Sequence, residues 1–135
     1  MLNFAIIGCG RIANKIVDGI INNSEKAKLV AVCDILEDKM QQIKNRYIEK
    51  SNELDEVIEI SDYKKVLEKV KIDVAIISTE SGYHEEIGLY FLENGVNLII
   101  EKPLAMSIEG AQKLVDTAKK NNLKLAASHQ NRFNY

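Results

Sequence analysis

Short apolar runs alternate with amphipathic stretches along this chain of 135 residues. The apolar runs are four to six residues long, which is typical of strands buried on both faces of a parallel sheet. The amphipathic stretches repeat apolar residues at helical spacing, so each of them predicts a helix with one buried face. The predicted strands are residues 2–7, 29–33, 57–60, 74–77, 96–100 and 123–127. The predicted helices are residues 11–22 and 37–48, followed by three more that begin after Asp62, near His84 and after Ser107.

A glycine-rich turn follows the first predicted strand. Gly8 and Gly10 lie between that strand and a helix, which is the context in which a G-x-G-x-x-G/A match has meaning. Gly8 permits a tight turn, Gly10 lets the backbone approach a pyrophosphate, and Ala13 lets the helix pack close to the strand. The helix N-terminus, at Arg11 and Ile12, then offers unpaired N–H groups and a partial positive charge to the phosphates.

The second predicted strand ends in an acid. Asp34 lies 24 residues after Gly10, near the spacing of the acid that hydrogen-bonds an adenosine ribose 2′-hydroxyl. A carboxylate at this point repels a 2′-phosphate, so the sequence favours NAD over NADP as the cofactor. The alternative is an ordinary aspartate at a strand end that caps the next helix.

The order of elements indicates an α/β fold, a doubly wound parallel sheet with helices on both of its faces. Right-handed crossovers and the glycine turn favour the order 3-2-1-4-5-6 of a Rossmann fold. The length suits a single domain with a sizeable core. On the last predicted helix, the spacing places five residues on the buried side: Ile108, Ala111, Leu114, Val115 and Ala118.

Polar segments follow five of the predicted strands. Because the carboxyl ends of parallel strands meet at one edge of a sheet, we expect these segments to converge on one site, where strands one and four adjoin. The segments are residues 8–12, Asp34, and residues 78–84, 101–103 and 129–132.

Composition and charge exclude several other classes of protein. The net charge is −2 and no long block of like charge suggests a nucleic-acid surface. No apolar run reaches transmembrane length and no basic leader precedes the first strand, so we expect no membrane association and a cytoplasmic location. The sequence shows no metal-ligand spacing. Cys9 and Cys33 are expected to be small, buried and reduced, with redox pairing as the alternative.

The chain resembles the N-terminal half of the glucose–fructose oxidoreductase / inositol dehydrogenase (Gfo/Idh/MocA) family. The resemblance rests on the glycine turn, Asp34, the loop that ends in His84, Glu101-Lys102-Pro103 and Arg132-Phe133. Glu101-Lys102-Pro103, after the fifth strand, is the most specific of these features. Residues 129–134 are most similar to the branch of UDP-N-acetylhexosamine (or uronic acid) 3-dehydrogenases.

The resemblance implies an NAD-dependent oxidoreductase that moves a hydride between nicotinamide and a hydroxyl carbon of a sugar, polyol or nucleotide sugar. It implies that Lys102 lies beside the nicotinamide and the reacting hydroxyl, where it assists proton transfer. The alternative is a solvated lysine at a strand end. It also implies that Glu101 faces the cofactor, with a salt bridge to a neighbouring lysine as the alternative. A free-standing module that senses NAD(H) without catalysis is the alternative function.

Further cofactor contacts are expected at the fourth and sixth strand ends. By resemblance His84 lies near the cofactor, whereas a helix cap or a packed ring is the alternative. Ser78 and Thr79 are expected to contact the cofactor ribose or phosphates through their hydroxyls. Arg132 is expected to contact a substrate phosphate or the nicotinamide carboxamide. Glu80 departs from the family pattern, which usually has a proline there.

The resemblance also implies a division of the chain. Residues 1–127 are expected to form the NAD-binding domain, and residues 128–135 to start the crossover into a C-terminal α+β substrate domain that the chain lacks. In the family, that domain supplies most of the substrate pocket and the usual oligomer interface. We therefore expect a homo-oligomer for the full-length protein, and NAD binding with little turnover for this chain alone.

Overall fold

The computed structural model of the protein describes residues 1–51 and 56–128. It contains one parallel sheet with the strand order β3-β2-β1-β4-β5-β6, which confirms the predicted order. The strands are β1 (Leu2–Ile7), β2 (Ala27–Cys33), β3 (Ile58–Ile60), β4 (Val74–Ile77), β5 (Asn97–Glu101) and β6 (Leu125–Ser128). The bounds of β1 and β4 are as predicted, and the other strands differ from prediction by one or two residues at one end or at both.

Within the described residues, five α-helices connect the strands. They are α1 (Ala13–Asn22), α2 (Glu37–Ser51), α3 (Val66–Lys69), α4 (His84–Glu93) and α5 (Ile108–Lys120). Single 3₁₀ turns precede α3 and α4. Helix α2 continues to Ser51, so the polar stretch predicted after residue 48 begins inside the helix, and residues 52–55 lie outside the described part of the chain. None of the helices in the described ranges is long and apolar enough to cross a membrane.

Two apolar clusters form the core, one on each face of the sheet. Helices α1 and α2 cover one face of β1 and β2, through residues that include Val17 and Ile43. Helices α4 and α5 cover the other face, through residues that include Phe91 and Leu114. On the α1 side, β4 and β5 border an open apolar groove of about 400 Å³, and Ile99 is one of its lining residues.

The predicted burial of Ile108 is wrong, since its side chain is 88% exposed. The buried residues of α5 are Gly110, Leu114 and Ala118, which recur every fourth position. Ile108 precedes Gly110 by two positions, or about 200° around the helix, so it faces away from the sheet.

The central strands bring three loops together. The Gly8 N–H donates to the Cys33 carbonyl at 2.8 Å, and the Ser78 N–H donates to the Ile7 carbonyl at 2.8 Å. The hydrogen-bond ladders of β1 with β2 and of β1 with β4 therefore continue into the residues that follow the strands. As a result, the glycine turn lies between the ends of β2 and β4, at the point where the strand order reverses.

Candidate functional site

The glycine turn is held directly against the end of β4. Gly8 has a φ of +96°, and a Cβ atom there would lie 2.6 Å from the backbone of both Ser78 and Thr79. Only glycine fits both the backbone conformation and the close approach. A Cβ on Gly10 would meet no atom of the described residues within 4 Å. Gly8 therefore joins two strand ends, whereas Gly10 leaves the exposed side of the turn open to a ligand.

Helix α1 starts without a side-chain cap among the described residues, although the Ala13 N–H donates to the Gly10 carbonyl at 3.1 Å. Its N-cap residue is Ile12, and within the described residues no side chain caps this end and no acidic residue lies in its first turn. The helix begins at Ala13 rather than at the predicted Arg11 because residues 10–12 form the turn. Ala13 is fully buried, as close packing of the helix on the strand requires, and Arg11 is exposed. The end of α1 is thus suited to a phosphate group.

The Asp34 carboxylate connects β2 to the glycine turn. One oxygen, Oδ2, accepts from the Cys9 N–H at 2.8 Å, and Oδ1 accepts from the Leu36 N–H at 2.9 Å. The second bond is a local turn to the residue that precedes helix α2, next to the position of the helix cap that the sequence offered as an alternative. The first fixes the carboxylate beside the turn, which the sequence did not predict. Each carboxylate oxygen has a further lone pair, so Asp34 remains able to accept from a ribose hydroxyl.

Two buried thiols lie beneath this carboxylate. Cys9 Sγ donates to the Cys33 carbonyl at 3.6 Å, and both cysteines are free and buried, in agreement with the predicted burial. Burial, together with the charge of Asp34, raises the pKa of each thiol to about 12. Because the thiolate is the reactive form of cysteine, neither residue is suited to nucleophilic or redox chemistry at neutral pH.

The two hydroxyls after β4 have different partners. Ser78 Oγ donates to the Gly8 carbonyl at 2.6 Å, so its proton ties β4 to the glycine turn. Thr79 Oγ1 has only a 3.4 Å contact with the Glu80 carbonyl, and its residue is partly exposed. Of the two predicted hydroxyl contacts, that of Thr79 is therefore the more available to a ligand.

The ring of His84 is buried and contacts the backbone on two sides. The residue is 1% exposed. Its Nδ1 lies 2.7 Å from the Pro103 carbonyl oxygen, and its Nε2 lies 2.9 Å from the Thr79 carbonyl oxygen. Both ring nitrogens are thus occupied by backbone groups of the protein. The packed ring that the sequence left as an alternative matches this arrangement, and the two carbonyl partners could not be anticipated from spacing.

Glu101 and Lys102 occupy the carboxyl end of β5. Glu101 is half-buried and lines one end of the apolar groove beside α1. Lys102 is exposed, and the peptide bond between it and Pro103 is cis. Within the described residues neither side chain forms an ion pair, so the predicted alternative of a salt bridge from Glu101 is not observed. Arg132 lies outside the described residues.

The predicted convergence of strand ends is therefore observed for four of the five segments. Direct hydrogen bonds connect Asp34 and Ser78 to the glycine turn, and His84 connects the loop after β4 to the loop that carries Lys102. The fold and this cluster define the class of protein, a Rossmann domain with a dinucleotide site at the switch point of its sheet.

Comparison with known proteins places the chain in a family. Residues 2–129 match the Gfo/Idh/MocA family, described as "Oxidoreductase family, NAD-binding Rossmann fold". The chain belongs to this family and is an NAD-binding Rossmann domain, which confirms the resemblance seen in the sequence.

Several relatives and one solved structure cover nearly all of the chain. D-glucoside 3-dehydrogenase of Escherichia coli K12 is 33% identical over 132 residues, which are 98% of this chain and 36% of the relative. The scyllo-inositol 2-dehydrogenase (NAD(+)) of Bacillus subtilis 168 is 29% identical over 130 residues, 96% of this chain and 36% of the relative. The WlbA dehydrogenase of Chromobacterium violaceum, solved with NADH and UDP-GlcNAcA, has a TM-score of 0.82 and 28% identity, over 98% of this chain and 36% of that one. The chain thus spans little more than a third of the length of these proteins.

Proposed function

We propose that the protein carrying this chain is an NAD-dependent dehydrogenase that transfers a hydride between nicotinamide and a hydroxyl carbon of a sugar, polyol or nucleotide sugar. The observation that carries this proposal is the hydrogen-bonded cluster at the carboxyl edge of the sheet. Through Ser78 and His84, this cluster links the glycine turn to the loop that carries Lys102. Lys102 is exposed and forms no ion pair with any of the described residues.

The residues at this edge fit NAD. The open side of Gly10 and the uncapped end of α1 suit a pyrophosphate, and the carboxylate of Asp34 suits an adenosine ribose. We assign these contacts to residues 8–12 and to Asp34, with Thr79 as a further hydroxyl partner. When bound there, NAD supplies the nicotinamide ring that accepts or returns the hydride.

The charge of Asp34 is expected to set the preference for NAD over NADP. A 2′-phosphate beside this carboxylate is repelled, so NADP is expected to bind roughly tenfold more weakly or worse. Isothermal titration calorimetry of this chain with each cofactor measures the ratio of the dissociation constant of NADP to that of NAD. Asp34→Asn removes the charge and is expected to reduce that ratio. Asp38→Asn, an exposed acid in the first turn of α2, is the matched control and should leave it unchanged. Tighter binding of NADP by the unmodified chain would refute the assignment.

Lys102 is the group that we assign to proton transfer. Its amine is exposed at the strand end and has no hydrogen-bond or ion-pair partner among residues 1–51 and 56–128. An ammonium group in this position can donate a hydrogen bond to the substrate hydroxyl oxygen and exchange a proton with it as the carbon is oxidised or reduced. Glu101, one residue earlier and half-buried, is assigned to the cofactor side of the same strand end.

Replacement of Lys102 tests the catalytic part of the proposal. In the natural full-length protein, Lys102→Met is expected to lower turnover by roughly 10²–10⁴, the range for removal of a positioned acid or base. The NAD dissociation constant should not change. Lys120→Met, at an exposed position in the last turn of α5, is the control and should turn over normally. Unchanged turnover in Lys102→Met, or no turnover of any polyhydroxylated substrate by the natural protein, would favour the non-catalytic NAD(H)-sensing module instead.

The similar proteins support a class of substrate. Their names refer to a glucoside and an inositol, and one structure contains UDP-GlcNAcA. All three are polyhydroxylated ring compounds. Within this class we propose a UDP-N-acetylhexosamine or its uronic acid, on the resemblance of residues 129–134 and the likeness to the WlbA structure. Parallel assays with a UDP-linked sugar, a simple glucoside and an inositol will distinguish them, because only the proposed substrate should give rapid NADH formation.

A further inference from the structure

His84 is the one buried polar side chain among the described residues, and its contacts are unusual for a residue at the start of a helix. It is the first residue of α4, yet its ring does not bond to the end of its own helix. Nδ1 lies 2.7 Å from the Pro103 carbonyl oxygen and Nε2 lies 2.9 Å from the Thr79 carbonyl oxygen. The ring therefore connects two separate loops.

Each of these loops carries a different part of the site. Thr79 follows β4, and its backbone packs against Gly8 so closely that a Cβ on Gly8 would be 2.6 Å away. Pro103 directly follows Lys102. One side chain thus joins the segment that supports the glycine turn to the segment that holds the lysine.

The burial of His84 gives these contacts their strength. A buried polar atom without a partner costs stability of about 1–3 kcal/mol, and a ring nitrogen of His84 that carries a proton avoids this cost by donating to one of these carbonyls, so the ring holds the two loops in place. The two carbonyls also occupy both ring nitrogens, which leaves none for a ligand. A helix cap or simple packing would not require partners on both sides.

We propose that His84 is a positioning residue that fixes Lys102 relative to the NAD-binding turn and does not itself contact the cofactor. This inference rests on the proposed function, since it concerns where the assigned acid–base lysine stands. The link to Pro103 holds the lysine loop, and the link to Thr79 holds the loop beside the glycine turn. The two links act on different steps, turnover and cofactor binding.

Two substitutions separate the links. The amide nitrogen of Asn is as many bonds from Cβ as Nδ1 of His, and the amide nitrogen of Gln is as many bonds from Cβ as Nε2. His84→Asn therefore keeps a donor for the Pro103 carbonyl, and His84→Gln keeps one for the Thr79 carbonyl. His84→Phe keeps the ring volume and removes both ring nitrogens.

The Gln and Asn variants are expected to change different constants, the first kcat and the second the NAD dissociation constant. In the natural full-length protein, His84→Gln should lower kcat by roughly 10- to 100-fold, the effect of a misplaced catalytic group, with the NAD dissociation constant nearly unchanged. His84→Asn should retain more of kcat and weaken NAD binding severalfold. His84→Phe should show both defects. A purely structural role predicts instead a lower melting temperature with the same kinetic change in the Asn and Gln variants, and that result would overturn the proposal.

Lys102→Met in the same assay separates a failure of the proposed function from a failure of the positioning role of His84. If Lys102→Met leaves turnover unchanged, the proposed function fails, whatever the His84 variants do. If Lys102→Met abolishes turnover but His84→Gln and His84→Phe retain full kcat, the function stands and the positioning role of His84 is refuted.

A measurement on the unmodified protein covers the case in which the variants do not fold. In a complex with NAD, nuclear Overhauser contacts from the His84 ring protons to protons of the cofactor would overturn the proposal. The expected result is no such contact, together with a hydrogen-bonded ring N–H that exchanges slowly with water.

Discussion

At the scale of single residues, the site is built by side chains that bond to the backbone of another loop. Asp34 accepts from the Cys9 N–H, Ser78 donates to the Gly8 carbonyl, and His84 reaches the carbonyls of Thr79 and Pro103. All of these bonds cross from one strand end to a neighbouring one, except the contact of His84 with Thr79, which lies within the segment after β4. The residues that hold the loops in place are therefore partly the same residues that the sequence marked as ligand contacts.

The buried cysteines give a prediction about pH at this scale. The pKa of each thiol is raised to about 12 in the folded protein, from about 9 for an ordinary thiol. Folding therefore favours the protonated form. The stability that this contributes is fully present below pH 9 and is lost as the pH rises from 9 to 12. At pH 8 we expect both thiols to resist DTNB in the folded chain and to react at once in urea.

Urea titrations at increasing pH measure the predicted loss of stability above pH 9. The urea concentration at the midpoint of unfolding should decrease as the pH is raised from 9 to 11. The decrease should be smaller in a Cys9→Ala, Cys33→Ala double variant, which lacks both titrating thiols. Tyr63, whose pKa burial also raises to about 12, accounts for part of the decline that remains. Rapid labelling of the folded chain at pH 8 would contradict the prediction.

At the scale of elements, the ends of the helices are fixed by different means. Helix α5 has a side-chain cap, because the Ser107 hydroxyl accepts from the Gly110 N–H at 3.0 Å. Helix α1 has none among the described residues, and its free end faces the dinucleotide site. Helices α1 and α2 are joined by a bidentate pair in which Arg46 donates to Asp18 at 2.7 and 3.0 Å. The hydrogen bonds from Arg46 lower the pKa of Asp18 to about 2.

The cap of α5 is expected to stabilise the fold without affecting the site. Ser107→Ala should lower the free energy of unfolding by about 1 kcal/mol, the usual cost of losing an N-cap. Ser107→Asn keeps an acceptor of equal quality and should unfold like the natural sequence. Urea unfolding of both variants, monitored by circular dichroism, measures the difference. Equal losses in the two variants would show that the hydroxyl does not act as a cap.

At the scale of the whole molecule, the helices protect the strands unequally. The central strands β1 and β4 are covered best on the face of α4 and α5, where Ala5, Ile7, Ala75 and Ile77 are at most 1% exposed. The edge strand β6 pairs only with β5 among the described residues, and its central alanines are exposed. Local stability should therefore decline from the centre of the sheet toward β6.

Hydrogen exchange of this chain tests that gradient. The amides of β1 and β4 are expected to exchange only through global unfolding, and those of β6 roughly tenfold faster or more. Addition of NAD should slow exchange most in residues 8–12 and 78–79, where binding holds the loops, while β6 changes little. Equal protection of β1 and β6, or protection by NAD that is confined to β6, would contradict this account.

Much of the fold was predictable because its signals are local. The apolar runs of β1 and β4 gave the observed bounds, and Ser107 marked the start of α5 correctly. Ile108 was placed wrongly because periodicity alone does not say where around the helix the buried stripe lies. The start of α1 was predicted two residues early because the turn after Gly10 has its own backbone bond, in which the Ala13 N–H donates to the Gly10 carbonyl.

The sequence by itself determined the sheet order, the glycine turn and the set of polar residues at the strand ends, because apolar periodicity and glycine conformation are properties of short segments. The tertiary structure alone decided which of those residues stay exposed and which hold the loops together. Ser78 and His84 are polar residues after a strand end like Thr79, yet Ser78 bonds to the Gly8 carbonyl and His84 contacts the Pro103 carbonyl, both in other loops. Those carbonyls are part of the backbone, which carries no sequence signal, so only folding shows where they lie.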